Sequence, residues 1–62
     1  MSYFNYHRRN KKLIKEGFLD DYFYDEREGK KYLFLVFKNG KTMPVKEERW
    51  REYYELLDKY YS

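Results

Sequence analysis

Apolar residues recur along this chain with two different periods. From Tyr3 to Glu16 they fall at Tyr3, Tyr6, Leu13 and Ile14, a helical stripe with Asn10 in its gap. Gly17 follows as a natural helix terminator, with Lys12 and Lys15 in the last turn, where cations suit the helix dipole. Period two then takes over. Residues 21–26 carry Tyr22, Phe23 and Tyr24, residues 31–38 hold Tyr-Leu-Phe-Leu-Val-Phe, and residues 41–45 end in Met-Pro-Val, so three strands are predicted. Pro44 cannot donate to a ladder and puts the third strand at a sheet edge. After Val45 the helical period returns at Trp50, Tyr53, Tyr54, Leu57, Tyr60 and Tyr61, in a helix opening at Lys46 or Glu47 with acids in its first turn. Trp50 is expected to be largely buried against the sheet. The predicted order is α-β-β-β-α: an α+β domain, a three-stranded antiparallel meander packed with two helices, spanning residues 1–62 as one compact unit.

Two glycine turns set the expected register. A two-residue turn at Glu28-Gly29 pairs Phe23 with Phe34 and Tyr24 with Leu33. Asn39-Gly40 reads as a two-residue type I′ turn, pairing Val36 with Met43 and Phe34 with Val45. One face then holds Phe23, Tyr32, Phe34, Val36, Met43 and Val45, and the other holds Tyr22, Tyr24, Leu33, Leu35, Phe37, Thr42 and Pro44. Both are apolar, whereas a half-solvated sheet alternates apolar with polar. Either the helices cover opposite faces, or both cover one and the second face meets something else. A turn of different length would invert the pairing of the first strand.

Composition explains how so short a chain could fold. A chain of 62 residues buries only about 60% of its unfolded surface. There is no cysteine to form a disulfide, and a single His7 cannot build a zinc site. Large rings are the remaining resource: nine Tyr, five Phe and one Trp. The apolar run 32–37 is too short to span a bilayer, no signal-peptide h-region is visible, and the lack of cysteine fits a reducing cytoplasm. The Lys, Asn, Tyr, Phe and Ile usage, with no alanine, suggests an AT-rich bacterial or phage genome.

The net charge of +3 is segregated. Residues 1–18 hold five Lys/Arg against one acid, residues 19–30 two against five, residues 31–46 four against none, and residues 47–62 three against five. A basic patch beside acidic edges is expected. The run His7-Arg8-Arg9-Asn10-Lys11-Lys12-Leu13-Ile14-Lys15 is the one functional candidate. On a helix, Arg8, Arg9, Lys11, Lys12 and Lys15 project cations over more than half the circumference, a surface that attracts phosphates. Lys38 and Lys41 flank the Asn39-Gly40 turn and extend the patch if the hairpin tip points the same way. His7, between Tyr6 and Arg8, reads as a surface histidine. Asp20, Asp21, Asp25 and Glu26 follow no calcium-loop spacing and read as a charged edge. No nucleophile–base pair or glycine-rich phosphate loop is present, so neither catalysis nor a metal or other cofactor is expected.

The α-β-β-β-α order is similar to that of the double-stranded-RNA-binding domain, which is of comparable length. That family places a lysine cluster at the start of its second helix; the matching stretch here, Lys46-Glu47-Glu48-Arg49, is half acidic. The string Leu13-Ile14-Lys15-Glu16-Gly17-Phe18-Leu19-Asp20-Asp21-Tyr22, followed by a glycine turn and the 32–37 strand, resembles the helix–strand–strand unit of ribosomal small-subunit protein eight over roughly residues 11–38. The expected role is binding. One reading is a nucleic-acid-binding or nucleic-acid-associated regulator using the basic N-terminal helix. The other is a protein-interaction module or inhibitor, for example phage or mobile-element encoded. It would bind a host protein through a tyrosine-rich surface at Tyr22, Tyr24 and Phe37. Rigid amphipathic rings bind at low entropy cost. A homodimer stays open, and no membrane partner is expected.

Overall fold

The computed structural model describes the backbone of residues 3–61 and the side chains of residues 5–60. Tyr3 and Tyr61, assigned above to helix stripes, have side chains outside that range. The elements run α1 (Tyr3–Lys15), β1 (Leu19–Arg27), β2 (Lys30–Phe37), β3 (Thr42–Lys46), a 3₁₀ turn (Glu47–Arg49) and α2 (Arg51–Tyr61). The strands form one antiparallel sheet in the order β1-β2-β3, so β3, with Pro44, is an edge strand as its proline requires.

The β1–β2 register is the expected one: Phe23 faces Phe34, Tyr24 faces Leu33, and Arg27 faces Lys30. Glu28 and Gly29 both have positive φ, +53° and +78°, so the type I′ connection lies here. The β2–β3 connection differs from expectation. Gly40 alone of its loop has positive φ, at +88°. Gly40 N–H bonds to the Phe37 carbonyl and Phe37 N–H to the Lys41 carbonyl, each at 2.9 Å. The loop is therefore three residues, Lys38-Asn39-Gly40, and the Asn39 side-chain oxygen accepts the Lys41 N–H at 3.0 Å. The extra residue slides β3 by one, pairing Leu35 with Met43 and Leu33 with Val45, not Val36 with Met43 and Phe34 with Val45. Burial selects this register. It puts Val45 among Leu33, Leu35 and Phe37 and turns Thr42 and Pro44 outward, whereas the two-residue loop would have reversed both.

A second irregularity lies at the start of β1, between Leu19 and Asp21. In an unbroken strand Leu19 and Tyr22, three apart, would point to opposite faces. The bulge brings Leu19 opposite Phe37 and Tyr22 opposite Leu35, so both face inward, and Leu19 is buried.

The core comprises Ile14 from α1, Leu19, Leu33, Leu35, Phe37 and Val45 from the sheet, and Tyr53 and Leu57 from α2. Both helices therefore cover one sheet face, that of Leu33 and Leu35. The inner line of α1 is His7, Asn10 and Ile14, all buried. His7 is thus not a surface histidine, because Tyr53 of α2 gives its ring a partner inside the fold. Trp50 sits at the junction of the 3₁₀ turn and α2, where its backbone N–H donates to the Glu47 carbonyl at 3.1 Å. It is only partly buried, but its indole N–H reaches the Val45 carbonyl at 2.9 Å and fastens α2 to the end of β3.

Candidate nucleic-acid interface

The interface candidate begins with α1. Its inner line is fully occupied, so Arg8, Arg9, Lys12 and Lys15 are left on the outside, all exposed. Arg8, Lys12 and Lys15 follow at i, i+4 and i+7 along one ridge, and Arg9 stands beside it. Among the described residues none of the four takes part in an ion pair. Their positive charge is therefore uncompensated on the helix surface.

Lys11 is different. It turns toward α2, where its ammonium pairs with Glu52 Oε1, while Glu52 Oε2 accepts Arg49 Nη1 at 2.7 Å. The Lys11 ammonium also lies 5.9 Å from the centre of the Tyr53 ring. These hydrogen bonds from Lys11 and then Arg49 hold the Glu52 carboxyl down at about 2. Lys11 is therefore set apart from the other four cations of α1 by an ion pair within the fold. His7, Arg8, Lys11, Lys12, Lys15, Arg49 and Glu52 together line an open cleft between α1 and the start of α2.

Lys38 and Lys41 flank the β2–β3 tip and are exposed. Lys38 N–H donates to the Phe18 carbonyl at 3.0 Å, three residues beyond Lys15. The tip and the C-terminal end of α1 thus lie at one end of the molecule.

Beneath the ridge, His7 Nδ1 and the Tyr53 hydroxyl share a hydrogen bond at 2.8 Å. Burial pushes the Tyr53 phenol up to about 12, with a hydrogen bond from Asn10 acting in the opposite direction. Burial, and next the Arg49 charge, hold His7 below its ordinary 6.5. The sign of the pH dependence follows. Near pH 6.5 the unfolded chain takes up a proton that the folded chain refuses, so stability is complete above that pH and falls as acid is added. A second loss follows as the pH drops from 4.5 toward about 2 and Glu52 is protonated. Thermal midpoints by circular dichroism should be level from pH 8 to 7 and decline below about 6.5. His7→Gln should remove the upper part of the decline and leave the Glu52 part. An unchanged profile in that variant would exclude His7 as its source.

The tyrosine surface is split. Phe37 is 2% exposed and lies in the core opposite Leu19, so it offers nothing to a partner. As the last inward residue of β2 it is needed to close the sheet against Leu19. Tyr22 is half-buried against the core, while Tyr24 is exposed, with its ring edge on Trp50 at 4.9 Å. Tyr22, Tyr24 and Tyr54 line a shallow depression beside Glu55 and Asp58. Tyr54 was not among the expected surface residues; its place one step from the inward Tyr53 was the available signal.

On β1, Asp21 and Asp25 carboxylates accept the backbone N–H of Tyr22 and Glu26, each at 2.8 Å, and Asp25 also pairs with Arg27 at 3.0 Å. Among the described residues no three His, Cys, Asp or Glu side chains converge as metal ligands. Among the same residues no helix is long and apolar enough to cross a membrane. No protein-family model, curated protein or solved structure matches this chain. The α-β-β-β-α order therefore stands as topology, and function has to be argued from the surface.

Proposed function

We propose that this protein is a small cytoplasmic nucleic-acid-binding protein, of bacterial or phage origin, that acts without catalysis. It docks on phosphates through the outer ridge of α1. One observation carries this reading: Arg8, Arg9, Lys12 and Lys15 stand exposed and outside any ion pair of the described residues. Lys38 and Lys41 stand exposed at the hairpin tip, near the C-terminal end of α1. A ridge of this kind takes its affinity from released counterions, so binding weakens steeply and log-linearly with salt. An alternative reading draws on Tyr22, Tyr24 and Tyr54, exposed or half-buried rings at one depression, as the contact surface of a protein-interaction module or inhibitor.

The test is a fluorescence-anisotropy titration with labelled duplex and single-stranded DNA and RNA at several salt concentrations. Binding whose log affinity falls linearly with log salt is the expected result. Absence of binding to every probe at low salt would discard this function and put the tyrosine depression first.

A further inference from the structure

The sheet face turned away from the helices is uncovered among the described residues, because both α1 and α2 contribute their inner residues to the other side. It is not a polar face. Phe23 and Phe34 stack at 5.2 Å with their planes 23° apart, and Tyr32 lies 5.9 Å from Phe34. The Arg27 guanidinium sits 5.1 Å over the Phe34 ring. Phe34 is therefore capped, and its ring neighbours on this face are Phe23, at 41% exposure, and the half-buried Tyr32.

Two considerations choose the occupant. The first is size. Strands of nine, eight and five residues present roughly 350 Å² in plan at ordinary strand rise and spacing. A stable dimer buries about 800 Å² per partner, so this face alone falls well short of one. The second is charge. Lys46 lies directly opposite Tyr32, and Lys30, two residues before Tyr32 and opposite Arg27, stands on the same face. Neither lysine is in an ion pair of the described residues. Of the acids on this face, Asp25 is tied to Arg27, and Asp21 lies at the far end beside Val36. Glu47 and Glu48 follow Lys46 and line the same cleft as Lys30, Lys31, Tyr32 and Lys46, so three lysines there stand against two acids. Rings bordered by unpaired lysines match unstacked bases joined by phosphates.

We propose that this open face binds single-stranded nucleic acid, with bases stacked on Phe23 and Tyr32 and phosphates met by Lys30 and Lys46. The proposal rests on the nucleic-acid reading and names the strand state it favours. The hairpin tip, with Lys38 and Lys41, joins the two surfaces. A strand held on the α1 ridge reaches the open face by passing over that tip. A duplex cannot use the rings, since its bases are already stacked inside.

The test compares a labelled thymidine oligonucleotide and a uridine oligonucleotide with a duplex of the same length. Phe23→Ala and Tyr32→Ala should each weaken single-strand binding by about five- to a hundredfold, the range for loss of one stacked base, and leave duplex binding unchanged. Circular dichroism melting verifies that each variant is folded. Lys30→Gln with Lys46→Gln, at exposed sites without packing, supplies an independent arm. Its single-strand salt slope should fall by about 0.7 per lysine. Five outcomes overturn the proposal. Two are unaltered single-strand affinity in the folded variants, and equal loss on duplex. The third is binding of duplex only, which leaves the α1 function standing. The fourth is failure to bind any probe, which removes both. The fifth is a wild-type dimer in sedimentation that Tyr32→Ala converts to monomer, which would make the face a self-association surface.

Discussion

Tyr53→Ala is expected to unfold the protein. Tyr53 is fully buried, and it joins three parts of the molecule. Its ring belongs to the core, its hydroxyl meets His7 across the α1–α2 junction, and its ring face lies beneath the Lys11 ammonium. Truncating a buried aromatic costs about 3–5 kcal/mol. At the usual 0.05–0.15 kcal/mol per residue, a chain of this length has about 3–9 kcal/mol of total stability. The loss is thus most of the reserve, and the far-ultraviolet circular dichroism of the variant should lack a cooperative melt. Tyr53→Phe separates the two contributions. It keeps the ring but removes the hydroxyl that His7 Nδ1 meets, at about 1–3 kcal/mol. For a domain of this size that lowers the melting midpoint by roughly 4–24 °C. A Tyr53→Ala protein that melts within a few degrees of the wild type would show that the α1–α2 junction is held elsewhere.

The second large effect concerns binding. Replacing Arg8, Arg9 and Lys12 together with glutamine should leave the melt almost unchanged, because exposed charges outside ion pairs contribute little to stability. On duplex DNA each lost phosphate contact removes about 0.9 from the slope of log affinity against log salt, so three remove about 2.7. At low salt the affinity itself should fall by at least about tenfold, since counterion release drives this mode of binding. Lys11→Gln is the matched comparison. Lys11 is held by Glu52, so this substitution should lower stability and leave the salt slope where it was. If Lys11→Gln flattened the slope as much as the three outer substitutions do, the division of α1 into an inner and an outer cation set would be wrong.

Much of the architecture was legible from short-range signals. The period-two run at 32–37, the glycines and Pro44 specify element order, one turn length and an edge strand. Each depends on backbone preferences within a few residues. The two-residue Glu28-Gly29 turn sets the β1–β2 pairing for the same reason. The cation-rich segment of α1 was legible too, as was the apolar line of α2.

Other features depend on contacts across the whole fold. Asn39-Gly40 satisfies either a two- or a three-residue loop locally, and only the burial of Val45 beside Leu33 separates them. The bulge at Leu19 answers to Phe37, far along the chain. His7 is drawn inside by Tyr53, 46 residues away, and Lys11 is neutralised by Glu52, 41 residues away. No local pattern carries those distances. The same holds for the bare sheet face: alternation along β1 and β2 predicts two apolar faces, but which one the helices take is decided when α1 and α2 meet through His7, Asn10 and Tyr53. Sequence periodicity assigns residues to faces; tertiary packing alone decides which face is buried, and so which cations and rings remain for a partner.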